Sequence, residues 1–256
     1  MFDGALFALL SACSVVAIAI AMPGHVKRLL SGRTDIKVPI PLVMAGAVVQ
    51  QSLFAVGLTA AGVAVAPRTG LAAPWFAAVA HGEGWAWGVA AAQLPAALLV
   101  GGASVAVFLL LYYQVLGPRM PAQGFTRTEE SRVAMGLLGR VLMGGIAEEV
   151  MFRWGVMSVV AWLAVSVIGM PFGAGMWTAI VVAGLLFALG HLPGVVAAGL
   201  KLSPFILVAV ITLNMVVSLA CGWLFWKHGL LAAVIAHALL HAVWHPVERS
   251  RVLRRS

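Results

Sequence analysis

Apolar residues fill this chain in long runs, and polar residues are gathered between them. Seven runs are long enough to cross a bilayer, near residues 3–22, 40–65, 87–116, 134–166, 176–192, 204–226 and 229–245. A helix needs about 20 apolar residues for one crossing. The alternating segments of about ten residues that a membrane barrel would show are absent. The pattern predicts an all-α, polytopic transmembrane helix bundle. The third and fourth runs exceed one crossing, so tilt, kinks or interfacial ends are expected there.

Two stretches break the pattern. Residues 67–86, PRTGLAAPWFAAVAHGEGWA, are interrupted by Gly and Pro and rich in Trp. That composition predicts an interfacial loop or a short surface helix. Residues 117–131, GPRMPAQGFTRTEES, form the most polar internal linker. Its Thr128-Glu129-Glu130-Ser131 run suits a helix start, with acids near the positive end of the helix dipole. No internal repeat is visible.

Composition strengthens the membrane reading. The chain has 256 residues, 62% hydrophobic and 9% charged, where a soluble domain carries about 25% charged. The net charge of +8 does not point to nucleic acid, because the bases flank apolar segments. With residues 23–39 placed inside, twelve of the sixteen bases lie inside and only Arg68 and Lys227 outside, Arg140 and Arg153 being within the fourth span. The positive-inside rule then predicts an outer N-terminus and a cytoplasmic C-terminus. Cys13 and Cys221 lie in apolar runs and make no disulfide framework. Asp3, and no base, precedes the first run, so a retained span is expected rather than a cleaved leader.

The polar residues inside the spans carry the candidate chemistry. A charge at the bilayer centre costs roughly 2.5–3.5 kcal/mol on insertion scales, yet Glu148, Glu149 and Arg153 fall within six residues of the fourth span. On an α-helix Glu149 and Arg153 share one side and can pair, while Glu148 points about 140° from Arg153. A structural charge cluster and a functional site both fit. In the fifth span Phe187 and His191 share a face, so the ring can pack beside the imidazole; a buried His bonded to a backbone carbonyl is the plainer alternative. His237, His241 and His245 make a polar stripe on the seventh span. Asn214 in the sixth is expected as helix–helix glue. The predicted topology puts Glu148, His191 and His241 at one depth, so the clusters can meet in a cavity open to the cytoplasm.

Two chemistries use such a set. A carboxylate and a His can polarise a water while other imidazoles stabilise an oxyanion. Alternatively, His and Glu can hold a zinc with an activated water. The zinc-peptidase pattern HExxH is missing.

The ordered motifs Glu148-Glu149-Val-Met-Phe-Arg153, Phe187-Ala-Leu-Gly-His191 and His237-Ala-Leu-Leu-His241 resemble the CAAX protease and bacteriocin-processing (CPBP, or ABI) family of intramembrane proteases. The resemblance covers about 130–246 and leaves out the first three spans. It implies a glutamate-dependent endopeptidase in which Glu148 is the general base, acting with His191 on water. His237 and residue 241 would stabilise the oxyanion, and Glu149 and Arg153 would hold the motif in place. Phe187 and Asn214 would be supporting residues, with Asn214 a candidate amide donor. The family's usual residue at 241 is Asn or Asp. His241 here keeps the metal question open: no cofactor is expected, but a zinc would be held by Glu148, His191, His237 and His241.

The chain is thus read as N-terminal helices of unknown role (1–128), a CAAX-protease-like core (129–247) and a basic cytoplasmic tail (248–256). The expected partners are the bilayer and a hydrophobic or lipid-anchored peptide. Abundant Ala, Gly and Arg suggest a bacterial cytoplasmic membrane. A non-catalytic membrane scaffold or immunity-type protein and a proton-coupled transporter are the rival readings.

Overall fold

In hydrocarbon each backbone N–H and C=O must find its partner within the segment, so apolar runs of this length fold as helices. The computed structural model describes residues 2–30 and 37–254, apart from the side chains of 28 and 29. Arg33 and Arg255, and the side chain of Arg28, used in the charge count above, lie outside the described residues. The helices are α1 (Gly4–Leu30), α2 (Ile40–Val65), α3 (Pro74–Ala80), α4 (Ala86–Leu110), α5 (Ala122–Arg140), α6 (Ser158–Trp162), α7 (Phe172–Gly190), α8 (Leu192–Ala197), α9 (Pro204–His228) and α10 (Leu230–Leu253). No strand occurs among the described residues. Among the described residues seven helical segments are long and apolar enough to cross a membrane, and each overlaps one of the seven runs. This is an integral membrane helix bundle.

Prolines and glycines set the boundaries. Pro204 opens α9, where Ser203 Oγ accepts from Ile206 N at 3.2 Å. Gly229 alone joins α9 to α10, at φ 99°. That left-handed φ favours glycine. A side chain there would also meet Pro74 Cδ at 2.8 Å.

The fourth span does not start at 134. Helix α5 begins at Ala122, after Pro121, and Thr128–Ser131 lies well inside it. The acids are therefore not at a helix start. Glu129 is fully buried, 3.6 Å from Arg251 of α10, so tertiary pairing overrides the local preference for an N-terminal turn. Gly136, at φ 76°, kinks α5 before the chain enters the bundle.

The stretch 67–86 holds a short helix, one of the two forms expected there, but one side of it is buried. A 3₁₀ turn (Ala66–Thr69) leads to α3, and Leu71, Ala73, Phe76 and Ala78 are buried. Its apolar side packs into the main core with α1 and α4, while Val79, Trp85 and the neighbouring Trp87 face outward. The chain expected as a tail from 248 instead continues α10 to Leu253, with Glu248 fully buried.

Between α5 and α6 the helix is wound in wider π turns, over Val141–Glu148 and Val150–Met157. This stretch occupies the middle of the molecule. It packs against α1, α2, α7, α9 and α10. Small residues allow the close approach, as is usual in membranes. A Cβ on Gly62 of α2 would meet Trp154 at 2.5 Å, and one on Gly155 would meet Leu58 at 2.7 Å.

Candidate active site

Glu148 and Glu149 lie where the two π stretches meet. Their i→i+5 bonding widens the turn, so adjacent side chains diverge less than the 100° per residue of an α-helix. Both glutamates consequently reach the same imidazole. Glu149 Oε1 is 2.7 Å from His237 Nδ1, and Glu148 Oε2 is 3.9 Å from His237 Nε2. α-Helical geometry assigned Glu149 to Arg153 alone. That pair forms, at 3.3 Å from Arg153 Nε to Glu149 Oε2, but it is half of Glu149's engagement.

The neighbourhood of Glu149 is dry. Glu149 is fully buried, and Arg153 and His237 nearly so. Arg153 continues to Ser218 Oγ of α9 at 3.3 Å. Its guanidinium lies 5.0 Å from the Phe187 ring centroid. Phe187 also packs against His191 (centroids 4.5 Å) and His237 (6.0 Å). One aromatic ring thus spaces the arginine and two imidazoles.

Hydrogen bonds orient the histidines. An ionised carboxylate only accepts, so His237 Nδ1 donates to Glu149 and Nε2 faces Glu148. His191 Nδ1 donates to Phe187 O, one turn back, at 2.8 Å. The plain backbone bond and the packed Phe ring both exist there, and Nε2 of His191 is left for other work. His241 stacks on His237 (centroids 5.1 Å, 24°), and its Nδ1 is buried without a partner. Gly144 makes room for it: a Cβ there would clash with His241 Nε2 and come within 3.1 Å of His237 Nε2.

One cavity of about 820 Å³ is lined by Glu148, Phe187, His191, Asn214, His237 and His241. Glu148 is the one glutamate of the pair exposed to it, its side chain 17% accessible. His245, third in the stripe, is not in the lining; it is buried further along α10. Asn214 does not bridge helices. Its Nδ2 donates to Val210 O on its own helix at 2.8 Å, because it borders the cavity rather than a neighbouring helix.

The cavity wall also contains residues that the motifs do not reach. Arg132 and Arg140 of α5 both bind Glu248 of α10, Arg132 Nε at 2.8 Å and Arg140 Nη1 at 2.7 Å. Arg132 Nη2 also donates to Tyr112 OH. Arg140 within an apolar run was the sequence signal for this group. Its partner Glu248 was assigned to a tail and so was missed.

The donor set can be tested for a metal. Among the described residues, the group whose donor atoms lie within 4.8 Å of one another is Glu149, Cys221 and His237. Glu148, His191 and His241, the set reasoned from sequence, are not in it. Two donors on a tetrahedral zinc, at about 2.0–2.1 Å each, stand more than roughly 3 Å apart. The 2.7 Å between Glu149 and His237 is the spacing of a shared hydrogen. Arg153 occupies the other carboxylate oxygen, so this buried group does not fit a zinc ion as placed.

Fold and site together define an integral membrane protein with a carboxylate–imidazole cluster embedded among its last four spans. The family model described as Type II CAAX prenyl endopeptidase, Rce1-like, matches residues 130–243. Over that segment the chain is similar to the CAAX protease family, and the segment contains Glu148–Arg153, Phe187–His191 and His237–His241. The family is one of peptidases. No curated protein and no solved structure matches the chain.

Proposed function

We propose that the protein is a glutamate-dependent intramembrane endopeptidase acting on a hydrophobic or membrane-anchored peptide by attack of an activated water. The observation that carries the reading is the opposed grip on His237: a buried glutamate on Nδ1, and a cavity-facing glutamate 3.9 Å from Nε2.

In this mechanism Glu148 takes the proton of a water that also donates to His191 Nε2. The water oxygen attacks the peptide carbonyl carbon. Negative charge develops on the carbonyl oxygen and is met by His237 and His241. His237 donates there through Nε2–H when both ring nitrogens carry hydrogen, with Glu149 as its counter-charge. A neutral His241 supplies one further ring N–H. The proton held by Glu148 then passes to the leaving amine, giving one new carboxyl and one new amino terminus. Glu149 and Arg153 do not touch the substrate; they fix the ring that does.

The apolar walls of the cavity, among them Phe108, Phe125, Leu213 and Val217, suit an apolar peptide or lipid-modified segment. In this reading the site faces the cytoplasm, a topology supported by the surplus of basic residues in the loops assigned to that side. The direct experiment is cleavage of membrane peptides by the purified protein, with Glu148→Gln as control, before and after exhaustive chelation. Cleavage that needs Glu148 and survives removal of zinc is the expected result. Cleavage restored only by zinc would replace it with the metal mechanism. Cellular function retained in both Glu148→Ala and His191→Ala would make the protein a scaffold.

A further inference from the structure

Helix α2 presents a polar group to lipid. It is, with α4, the least covered of the seven spans. Its inner face holds the π-wound stretch, where Thr59 O accepts from Trp154 Nε1 at 3.3 Å. Its outer face is bare, and Gln50 stands on it, exposed. Gln50 follows Ile40, the first residue of α2, by ten positions. At about 1.5 Å per residue that is about 15 Å along the helix, the middle of a hydrocarbon core of about 30 Å. Among the described residues Gln50 has no hydrogen-bond partner. Amides inside the spans are otherwise engaged: Gln51 donates to Met151 Sδ at 3.3 Å, Gln93 accepts from Ala232 N at 3.1 Å and Asn214 donates to Val210 O at 2.8 Å. With no water at that depth to meet its donors and acceptor, the Gln50 amide is costly in lipid.

The residues that follow it on the same face form a seam. Gln50, Leu53, Gly57, Ala60 and Ala64 succeed one another at steps of three, four, three and four. That is the spacing of one helix packed along another. Leu53 is 68% accessible, Gly57 and Ala64 are exposed, and Ala60 is half-buried. A Cβ on Gly57 would meet nothing within 4 Å, so a second backbone can come close there. Gln50, Leu53 and Phe54 border a shallow depression on this face, which has room for a side chain from outside.

We propose that α2 is the seam of a two-fold homodimer, in which the Gln50 amides of two copies hydrogen-bond to each other in mid-membrane. The amide is its own complement, since the carbonyl oxygen of one accepts from the NH₂ of the other. Copies of one chain insert with one orientation, so their α2 helices lie parallel and their Gln50 side chains stand at the same depth. A single polar residue in such a seam fixes the register and the number of strands. The seam contains no acid or base, so a charged partner has nothing there to pair with. The interface lies before residue 130, outside the segment matched to the protease family, and it does not depend on the peptidase reading. It gives α2 a role beyond covering the π-wound stretch. Gln51 lines the active cavity, so the second copy stands just outside the cavity wall.

The test uses the full-length protein in liposomes. Portions labelled at the C-terminus with donor and with acceptor fluorophores are reconstituted together, and energy transfer is followed as lipid is added. Transfer that falls on dilution as a dimer–monomer equilibrium is expected. Gln50→Leu should weaken association about five- to thirtyfold, and Gln50→Asn should restore part of it. Gln50 packs against nothing that the fold needs, so the melting temperature in dilute detergent should stay the same in both. Leu53→Cys, in a Cys13→Ser background, should crosslink copy to copy on oxidation, whereas Leu99→Cys, 76% accessible on α4, should not. Transfer no greater than chance encounter, association unchanged by Gln50→Leu, or equal crosslinking at positions 53 and 99 would each overturn the dimer. Crosslinking of Leu53→Cys in native membranes to a different protein, and not to a second copy, would overturn it as well.

Discussion

Glu149 Oε1 accepts from His237 Nδ1 at 2.7 Å, joining the middle of the fourth span to the last helix in a fully buried pair. The preceding residue, Glu148, faces open space. Two adjacent residues of one type therefore do different work, and substitution should separate them.

Glu148→Gln removes the proposed base and leaves the packing intact. Hydrolysis should fall by about 10²–10⁴-fold, with an unchanged melting temperature. A variant that keeps more than a tenth of the activity would displace Glu148 from the role of base.

Glu149→Ala should instead behave as a folding lesion. It strands Arg153 and takes the orienting acceptor from His237. Removing one partner of a buried pair typically costs about 3–5 kcal/mol. Thermal unfolding in detergent would register it as a large drop in melting temperature. An unchanged melting temperature with lost activity would shift Glu149 from support to chemistry.

Gly144→Ala probes the space around His241. The added methyl has no room beside His241 Nε2, so the imidazole must turn away, and activity should drop with little change in helix content. Gly46→Ala on α2, where nothing lies within 4 Å of the added methyl, is the matched control. It should be neutral or slightly stabilising, since Ala is the better helix former by about 1 kcal/mol. Full activity in Gly144→Ala would mean that His241 has no part in the reaction.

Outside the spans, Asp3 accepts from His81 at 3.0 Å, tying the start of α1 to the turn after α3. The backbone N–H of Leu6 and the His81 ring hold the Asp3 carboxyl below its ordinary 3.8, and Asp3 lifts His81 above its ordinary 6.5. The contribution from His81 is complete below 6.5 and is lost as pH rises through its raised value. The contribution from Asp3 is complete above 3.8 and is lost as pH falls through its lowered value. The stability difference between the native protein and His81→Gln should thus be largest between 3.8 and 6.5 and fade on both sides. Melting curves across pH give the comparison, and a difference that grows with alkalinity would refute the pairing.

The spans were legible in the sequence because hydrocarbon leaves a long apolar run one solution. The meeting of Glu148, His191, His237 and His241 around one cavity was legible too, since helical spacing and a common depth constrain where such residues point. Three features were hidden for physical reasons. The acids at 129 and 130 resembled a helix start because the pairing of buried Glu129 with a residue 122 positions away, Arg251, leaves no local mark. Glu248 sat beyond the last apolar run, and only the continuation of α10 carries it to Arg132 and Arg140. The double engagement of Glu149 depends on π winding, which side-chain spacing counted at 100° per residue does not reveal.

That winding bears on how the motif tolerates insertion and deletion. Loss of one residue between 141 and 147 is absorbed if the run relaxes to ordinary α turns, whereas the same relaxation at full length would swing everything beyond it by about 100°. The two glutamates would then present themselves to His237 in a different order, with every letter of the motif unchanged. The winding upstream of the motif is accordingly under the same constraint as its letters, and a change there that restores α turns at unchanged length should be as damaging as a substitution at Glu148.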